Sequence, residues 1–346
     1  MTSVYDIATC DLHQAARSGL VASLPAEAFS RARLLVRNAS GTTALHAIAR
    51  HGGLDRIPSA ILSPEDLMLR NDAGYTPLHH AAESGQLTKL SPQLLSDPFL
   101  KVSSNSGYTV LHVAAAHGHL DQIPPALLTS ETILSKTHLG NTLLHEAAEA
   151  GRLDRFPREF LTPENVLQRN YAGDTVYHVA AFNGHLPQLP ATLLTPAVYL
   201  EKTQSDETVI HVAANSGHLH QIPVELLTSD VLRQSSKTGL SVVHAAARMG
   251  QLRNVPVDRL TEALLSVRNE NGDTPLHLAA QHGHLDQVPA EHLNKSTLEL
   301  SNHMGITVRR LAISSGFVAH LPEEFRPKKL NLFSSLFGKV GAIFTV

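Results

Sequence analysis

The sequence has little cysteine, no tryptophan and no excess of either charge. Its single cysteine, Cys10, can form neither an internal disulfide nor a thiolate metal cage, which suits a reducing compartment. Among 346 residues, 28 Lys and Arg oppose 31 Asp and Glu, for a formal net charge of −3 at pH 7. Because no block of basic residues is present, the chain lacks the charge that binds a phosphate backbone, and we do not expect it to bind nucleic acid.

Long hydrophobic runs and catalytic motifs are also absent from the sequence. No apolar run reaches the roughly 20 residues that cross a bilayer. Residues 1–20 contain neither a basic nor an apolar signal region, so we expect no secretory signal and a cytoplasmic protein. No dinucleotide fingerprint, phosphate-binding loop or nucleophile elbow occurs. These absences predict a chain that is not an enzyme and needs no cofactor.

A period of 33 residues runs through the sequence, and such self-similarity indicates a repeat architecture. Histidine, glycine and proline each recur at this step, the proline column having Ser91 as its one exception. The three columns are His13, His46, His79, His112, His145, His178, His211, His244 and His277; Gly19, Gly52, Gly85, Gly118, Gly151, Gly184, Gly217, Gly250, Gly283 and Gly316; and Pro25, Pro58, Pro124, Pro157, Pro190, Pro223, Pro256, Pro289 and Pro322.

Each repeat begins with a pattern typical of a turn followed by a helix. Gly74 precedes Thr76 by two residues, which predicts a turn at positive φ and then a helix N-cap. Pro77 suits the first helical position, and Gly85 suits a left-handed C-cap. The paired alanines of this segment let neighbouring helices approach closely.

The second half of each repeat predicts shorter elements. Pro124 follows two inward apolar residues, and no helix can continue through it because proline lacks a backbone N–H. Five residues later Thr129 and its equivalents form a column of Ser, Thr and Asn, which are N-cap residues. We therefore predict a shortened second helix and a third short helix in each repeat, and no strands beyond short extended arms.

The columns T-x-L-H-x-A-A-x-x-G-H-L resemble the ankyrin repeat, most closely at residues 274–285. This resemblance implies an all-α, ankyrin-type helical repeat solenoid with short finger turns between about ten repeats. We expect the repeat array to span residues 4–326, with atypical first and last repeats, followed by a basic and amphipathic tail at 327–346. The resemblance also implies a monomeric, non-enzymatic scaffold that binds a partner protein through its fingertips and the concave helix face.

The 22 histidines raise the question of a metal site. Adjacent helices pack about 8–10 Å apart, whereas two ligands of one Zn²⁺ lie within about 4 Å of each other. Histidines one repeat apart therefore cannot share an ion, and we predict no metal site. Instead, we predict a structural role in satisfying buried polar groups between repeats. The residues assigned this role are His46, His79, His112, His145, His178, His211, His244, His277, Thr76, Thr109 and Thr274.

Columns that vary between repeats are the candidate binding residues. One column lies on the helix face before the glycine cap, and a second set of apolar and tyrosine residues lies on the turns, where aromatic side chains are typical binding anchors. Some of the turn residues are expected to cover a neighbouring finger instead. The candidates are Arg50, Glu83, Ala116, Glu149, Phe182, Asn215, Arg248 and Gln281 on the helix face, and Tyr75, Tyr108, Leu139, Tyr171, Leu240, Met304 and Ile306 on the turns.

The C-terminal tail carries an apolar stripe at helical spacing, from Phe333 to Phe344, after the basic segment 326–329. Residues Leu330 to Val346 could cap the end of the stack, lie on a membrane surface, or form a partner-binding or disordered tail. The alternative function is therefore a peripheral membrane adaptor anchored by this tail. A third hypothesis is a spacer with no dedicated partner.

Overall fold

The computed structural model describes residues 11–327, which contain seventeen α-helices and no strands. Ten of these helices are the first helix of a repeat: α1 (Leu12–Arg17), α3 (Ala44–His51), α4 (Pro77–Glu83), α6 (Val110–His117), α8 (Leu143–Glu149), α10 (Val176–Asn183), α11 (Val209–Asn215), α13 (Val242–Arg248), α15 (Pro275–His282) and α17 (Val308–Ser314). The all-α repeat fold predicted from the sequence is confirmed.

The start and end of α4 show why these residues form a helix. Thr76 is the N-cap in extended conformation, and Pro77 occupies the first helical position. The Nδ1 atom of His79 accepts a hydrogen bond of 3.1 Å from the backbone N–H of Thr76, completing a capping box. After the helix, Gly85 adopts a φ of +71°, a conformation that disfavours side chains with a Cβ.

Two 3-10 turns stand where the sequence predicted a shortened second helix. The first turns are Leu20–Ser23, Leu54–Arg56, Leu87–Lys89, Leu120–Gln122, Leu153–Arg155, Leu186–Gln188, Leu219–Gln221, Leu252–Asn254, Leu285–Gln287 and Val318–His320. The second turns are Ala26–Ala28, Ser59–Ile61, Pro92–Leu94, Pro125–Leu127, Arg158–Phe160, Ala191–Leu193, Val224–Leu226, Val257–Arg259, Ala290–His292 and Glu323–Phe325. The proline column separates the two turns, because proline cannot donate the hydrogen bond that would join them.

The predicted third short element follows in nine repeats. It is α-helical in seven of them: α2 (Arg31–Leu34), α5 (Asp97–Leu100), α7 (Ser130–Ile133), α9 (Pro163–Val166), α12 (Ser229–Arg233), α14 (Glu262–Leu265) and α16 (Lys295–Leu298). It is a 3-10 turn in the other two, Asp66–Met68 and Val198–Leu200. Thr129 illustrates its N-cap, because its side chain accepts a hydrogen bond from the backbone N–H of Thr132.

A tight turn, here called a finger, joins each third element to the next long helix. In the finger at residues 71–75, the Asn71 Oδ1 atom accepts hydrogen bonds from the backbone N–H groups of Ala73 and Tyr75. Neighbouring fingers are joined by backbone hydrogen bonds, as from the Asn105 N–H to the Ala73 carbonyl at 3.0 Å. The fingers therefore line up side by side above the long helices within a unit.

The described residues divide into two compact units, one ending at Thr195 and the other beginning at Pro196. In the first unit each long helix from α1 to α10 packs on the next long helix, and the same holds from α11 to α17 in the second. Leucine and alanine of these helices form the core, and Leu78, Ala81 and Ala82 are each 0% exposed.

The histidine column forms a hydrogen-bonded ladder between repeats. The Nδ1 atom of His79 lies 2.9 Å from Thr76 Oγ1 in its own repeat, and its Nε2 atom donates to the Tyr108 carbonyl of the next finger at 3.0 Å. His46 is bound in the same way, to Thr43 and to the Tyr75 carbonyl. Since Nδ1 also accepts the backbone N–H of the N-cap, these rings are neutral and carry their proton on Nε2.

The ladder histidines from His112 to His277 keep the contact at Nδ1 and differ in the carbonyl that Nε2 reaches. His145, His244 and His277 bind the carbonyls of Asp174, Asp273 and Ile306, 29 residues further along the chain, whereas His112 and His211 bind those of Ser135 and Gln234, 23 residues further along. Nδ1 of His178 lies 2.8 Å from Thr175 Oγ1. Burial lowers the pKa of His46, His79, His112 and His145 to about 4.

The described residues contain neither a cluster of metal-ligating side chains nor a membrane-spanning helix. Among residues 11–327, no three or more His, Cys, Asp or Glu side chains are grouped so that they could hold a metal ion. Over the part of the chain that the structure describes, no helix has both the length and the apolar character needed to cross a membrane. Cys10 and the tail from residue 328 onward, including the stripe from Phe333 to Phe344, lie outside the described residues.

Candidate partner-binding groove

A groove of about 390 Å³ lies in the first unit, where the fingers meet the exposed face of helices α3, α4 and α6. It brings together five of the candidate residues, which are far apart in the sequence: Arg50, Tyr75, Glu83, Tyr108 and Ala116. Asn71, Ala73, His80, Val113 and His117 complete its lining. The groove thus combines both sets of residues that vary between repeats.

An ion-pair network forms one side of the groove. Arg50 Nη2 lies 2.9 Å from Glu83 Oε1, and His80 Nδ1 lies 2.9 Å from Glu83 Oε2. The hydrogen bond from His80 and the positive charge of Arg50 lower the pKa of Glu83. Glu83 therefore remains ionised, with Arg50 balancing its charge and His80 hydrogen-bonded to it.

Two tyrosines supply the aromatic surface of the groove, and both are partly buried rather than fully exposed at fingertips. The Tyr75 ring stacks on His80 with centroids 5.9 Å apart and meets His79 edge-on at 5.2 Å. The Tyr108 ring meets His112 edge-on at 6.1 Å. These contacts hold each tyrosine in place and leave part of it facing the groove.

A buried carboxyl group, that of Glu146, lies near Tyr108. Glu146 is only 4% exposed, and its Oε1 atom accepts a hydrogen bond of 3.0 Å from Asn141 Nδ2. Burial, together with the charge of Glu149, raises the pKa of Glu146 to about 7, although hydrogen bonds from Asn141 and Tyr108 act in the opposite direction. Burial and the two carboxylates raise the pKa of Tyr108 as well.

The other candidate residues of the first unit lie outside the groove lining. Leu139 and Tyr171 are each 66% exposed on adjacent fingers, joined by a hydrogen bond from the Tyr171 N–H to the Leu139 carbonyl. The Lys136 ammonium lies 5.8 Å from the centre of the Tyr171 ring. Phe182 is exposed on α10, and Glu149 is exposed at the end of α8.

The second unit carries the remaining candidates. Arg248 Nη2 donates to Asn215 Oδ1 at 3.0 Å, and Asn215 Nδ2 donates to Glu207 Oε1 at 2.8 Å. Met304 is 81% exposed. Leu240 and Ile306 are partly buried, and Gln281 is exposed.

Several residues that matter to this site were not selected from the sequence. His80, Val113 and Glu146 occupy the column that directly follows the ladder histidine, and Glu146 is its one acidic member between residues 47 and 278. This one acidic residue in its column was the sequence feature that could have indicated a role for Glu146. Gln86, which bridges repeats by accepting from the Gly53 N–H at 3.1 Å, was also missed.

Comparison with known proteins identifies the kind of repeat that builds this groove. A family model described as ankyrin repeats (3 copies) matches residues 12–92, 60–124 and 210–290, which together make up more than half of the chain. No curated protein matches the sequence significantly. The first two matched segments contain every residue that lines the groove.

Proposed function

The chain belongs to the ankyrin repeat family, whose members are generally non-catalytic protein-interaction modules, and on that premise we propose that it binds a segment of a partner protein in the groove of its first unit. One observation carries this proposal. Tyr75 and Tyr108 face the same cavity as the Arg50–Glu83 ion pair.

The chemistry of the groove suits a polypeptide ligand. Tyrosine offers a large amphipathic contact surface at a small cost in conformational entropy, and such side chains anchor many interfaces. The ion pair at the edge supplies polar contacts, as interface rims commonly do. The exposed finger residues Leu139 and Tyr171 lie in the same unit and would extend the contact beyond the groove.

Affinity capture from a lysate of the source cells, with purified full-length chain as bait, tests the proposal. The variant carrying Tyr75→Ala and Tyr108→Ala should lose partners that the unmodified chain retains. Tyr171→Ala is the matched control, because it removes an exposed tyrosine of the same unit outside the groove. The captured protein is then purified and titrated against all three chains by calorimetry, to establish direct binding.

Each result distinguishes one function from another. Loss of binding in the double variant alone supports the groove, whereas loss with Tyr171→Ala alone moves the site to the exposed fingertips. Equal binding by all three chains contradicts both the groove and the exposed fingertips as the binding site. Recovery only from the membrane fraction, dependent on residues 330–346, would favour the peripheral membrane adaptor instead.

A further inference from the structure

Glu146 is a buried carboxyl group without a cationic neighbour. Asn141, which donates a hydrogen bond to it, and the neighbouring Tyr108 hydroxyl are neutral, and the charge that acts on it is the like charge of Glu149. Buried carboxylates are normally paired with a cation because their desolvation is costly. Among the described residues, nothing supplies that cation.

The rest of the groove shows where such a charge is missing. Glu83 is already balanced by Arg50 and His80. At the other side, Tyr108 lines the cavity and interacts with Glu146, and Glu149 is exposed one helical turn further along α8. Among the described residues, Glu146 and Glu149 therefore have no cationic partner, and both lie towards the side of the groove that Tyr108 forms.

We propose that the partner segment places a lysine or arginine side chain against the Tyr108 ring, close to the exposed Glu149 carboxylate, with Glu146 contributing its charge from behind the Tyr108 hydroxyl. This inference rests on the proposed function and specifies its ligand. The Tyr108 ring provides a cation–π surface, and Glu149 provides a direct ion pair. When it is ionised, Glu146 adds a field that is only weakly screened because it is shielded from water, and a cation bound nearby favours this ionised form.

The geometry favours a cation over other side chains for a physical reason. An apolar side chain at this position would leave Glu149 partly desolvated without compensation, and an acidic side chain would be repelled by two carboxyl groups. A cationic side chain removes both costs at once. The groove should therefore discriminate by charge on its Tyr108 side, while the balanced Arg50–Glu83 side tolerates neutral residues.

The test starts from a random peptide library displayed on phage and selected on the intact chain. Parallel selections use the Tyr75→Ala and Tyr108→Ala double variant, Glu149→Gln and Glu146→Gln. Glu131→Gln is the control for net charge, because the Glu131 side chain is 85% exposed on α7 and outside the groove lining. Peptides that depend on the two tyrosines should be enriched in Lys or Arg at one position.

A synthetic peptide from this selection then gives the decisive comparison. Its analogue with citrulline in place of arginine, or norleucine in place of lysine, removes the charge and keeps the shape. Calorimetry should show roughly tenfold weaker binding of the neutral analogue to the unmodified chain, and that difference should shrink in Glu149→Gln but persist in Glu131→Gln.

The outcomes separate this inference from the function on which it rests. Tyrosine-dependent peptides without an excess of Lys or Arg, or an equal charge preference in Glu149→Gln, overturn the inference and leave the groove as a binding site. Failure to select any peptide that depends on the two tyrosines overturns both proposals.

Discussion

His79 and Tyr108 are joined across a repeat boundary, the Nε2 atom of the histidine donating to the tyrosine carbonyl at 3.0 Å. His79 belongs to the repeated framework, whereas the Tyr108 side chain lines a groove that only one part of the chain contains. Tyr108 therefore belongs to the repeated framework through its carbonyl group and to the groove through its side chain. A change in the ladder here, or at His46, which binds the carbonyl of Tyr75, should alter binding in the groove, while the same change in the second unit should affect stability alone.

Replacement of His79 by alanine tests this relationship. The substitution leaves the Tyr108 carbonyl and the Thr76 N–H without their buried partner, which should cost about 1–3 kcal/mol in the free energy of unfolding. It should also weaken a groove-binding peptide, because the Tyr108 backbone loses its anchor. Urea unfolding and peptide calorimetry measure the two effects.

His244→Ala is the matched control, because His244 makes the equivalent bonds to Ser241 and Asp273 in the second unit. It should destabilise the chain by a similar amount and leave peptide affinity unchanged. Equal loss of affinity in both variants would show that the effect comes from general destabilisation, and would contradict the specific role of His79.

The buried histidines of the ladder predict that the folded chain loses stability at acidic pH. Burial lowers the pKa of His46, His79, His112 and His145 from 6.5 to about 4, so the unfolded chain binds protons before the folded one does. The resulting stability is present above pH 6.5 and is lost as the pH falls towards 4. Each histidine contributes a slope of up to about 1.4 kcal/mol per pH unit in that window.

Urea midpoints at pH 7.5, 6 and 5 measure this loss, which should steepen below pH 6.5. A His79→Gln variant retains a side-chain amide and cannot titrate, so its midpoint should fall less steeply than that of the unmodified chain. A midpoint that stays constant from pH 7.5 to 5 would contradict the neutral, buried state of these rings.

Glu146 should change the stability with pH in the direction opposite to that of the histidines. Burial raises its pKa from 4.5 to about 7, so the folded chain holds a proton that the unfolded chain releases. This contribution to stability is fully present below pH 4.5 and is lost as the pH rises through 7. Glutamine does not titrate, so the free energy of unfolding of Glu146→Gln lacks this loss. Between pH 5 and pH 8 it should therefore rise relative to that of the unmodified chain, by about 1–3 kcal/mol.

Urea unfolding of both chains at pH 5 and pH 8 checks the sign. Glu131→Gln is the control for the removal of a carboxylate, since the Glu131 side chain is 85% exposed on α7. If the difference between Glu146→Gln and the unmodified chain is the same at both pH values, Glu146 is not held in its protonated form by burial.

The repeat period predicted the fold well because it records what every repeat requires. The columns of Thr76 and His79 specify a capped helix, and both the all-α class and the family are confirmed. The pattern also indicated that no helix crosses the proline column. It could not predict two separate 3-10 turns, since the choice depends on how few residues separate Pro124 from the next N-cap.

The groove was predictable only in part, because it is built from residues that differ between repeats. The sequence marked Tyr75 and Tyr108 as turn residues, but spacing alone does not indicate that their rings face the helices instead of the fingertips. Glu146 was overlooked for a related reason. Its column is otherwise free of acidic residues from Ala47 to Leu278, and the sequence does not show that Tyr108 and Asn141 lie beside its one carboxyl group.

The Tyr108 hydroxyl can be separated from the Tyr108 ring by a single substitution. Its hydrogen bond lowers the pKa of Glu146, so Tyr108→Phe should raise that pKa above its present value of about 7. The ring would remain available to a cationic side chain, whereas Tyr108→Ala removes both. A basic groove peptide should therefore bind Tyr108→Phe nearly as well as the unmodified chain at pH 8.5 and less well at pH 7, where Glu146 would stay protonated.

Carbon-13 NMR of the Glu146 carboxyl, assigned by its disappearance in Glu146→Gln, reads the pKa directly. The other groups that titrate or carry charge around Tyr108 and the groove are Glu149, Glu83, Arg50, His80 and His117, and they are unchanged in Tyr108→Phe, so the comparison isolates the hydroxyl. A Glu146 pKa that falls or stays constant in this variant would mean that the Tyr108 hydroxyl does not donate to the carboxylate. The carboxyl would then be held by Asn141 alone, and Tyr108 would act on the bound cation only through its ring.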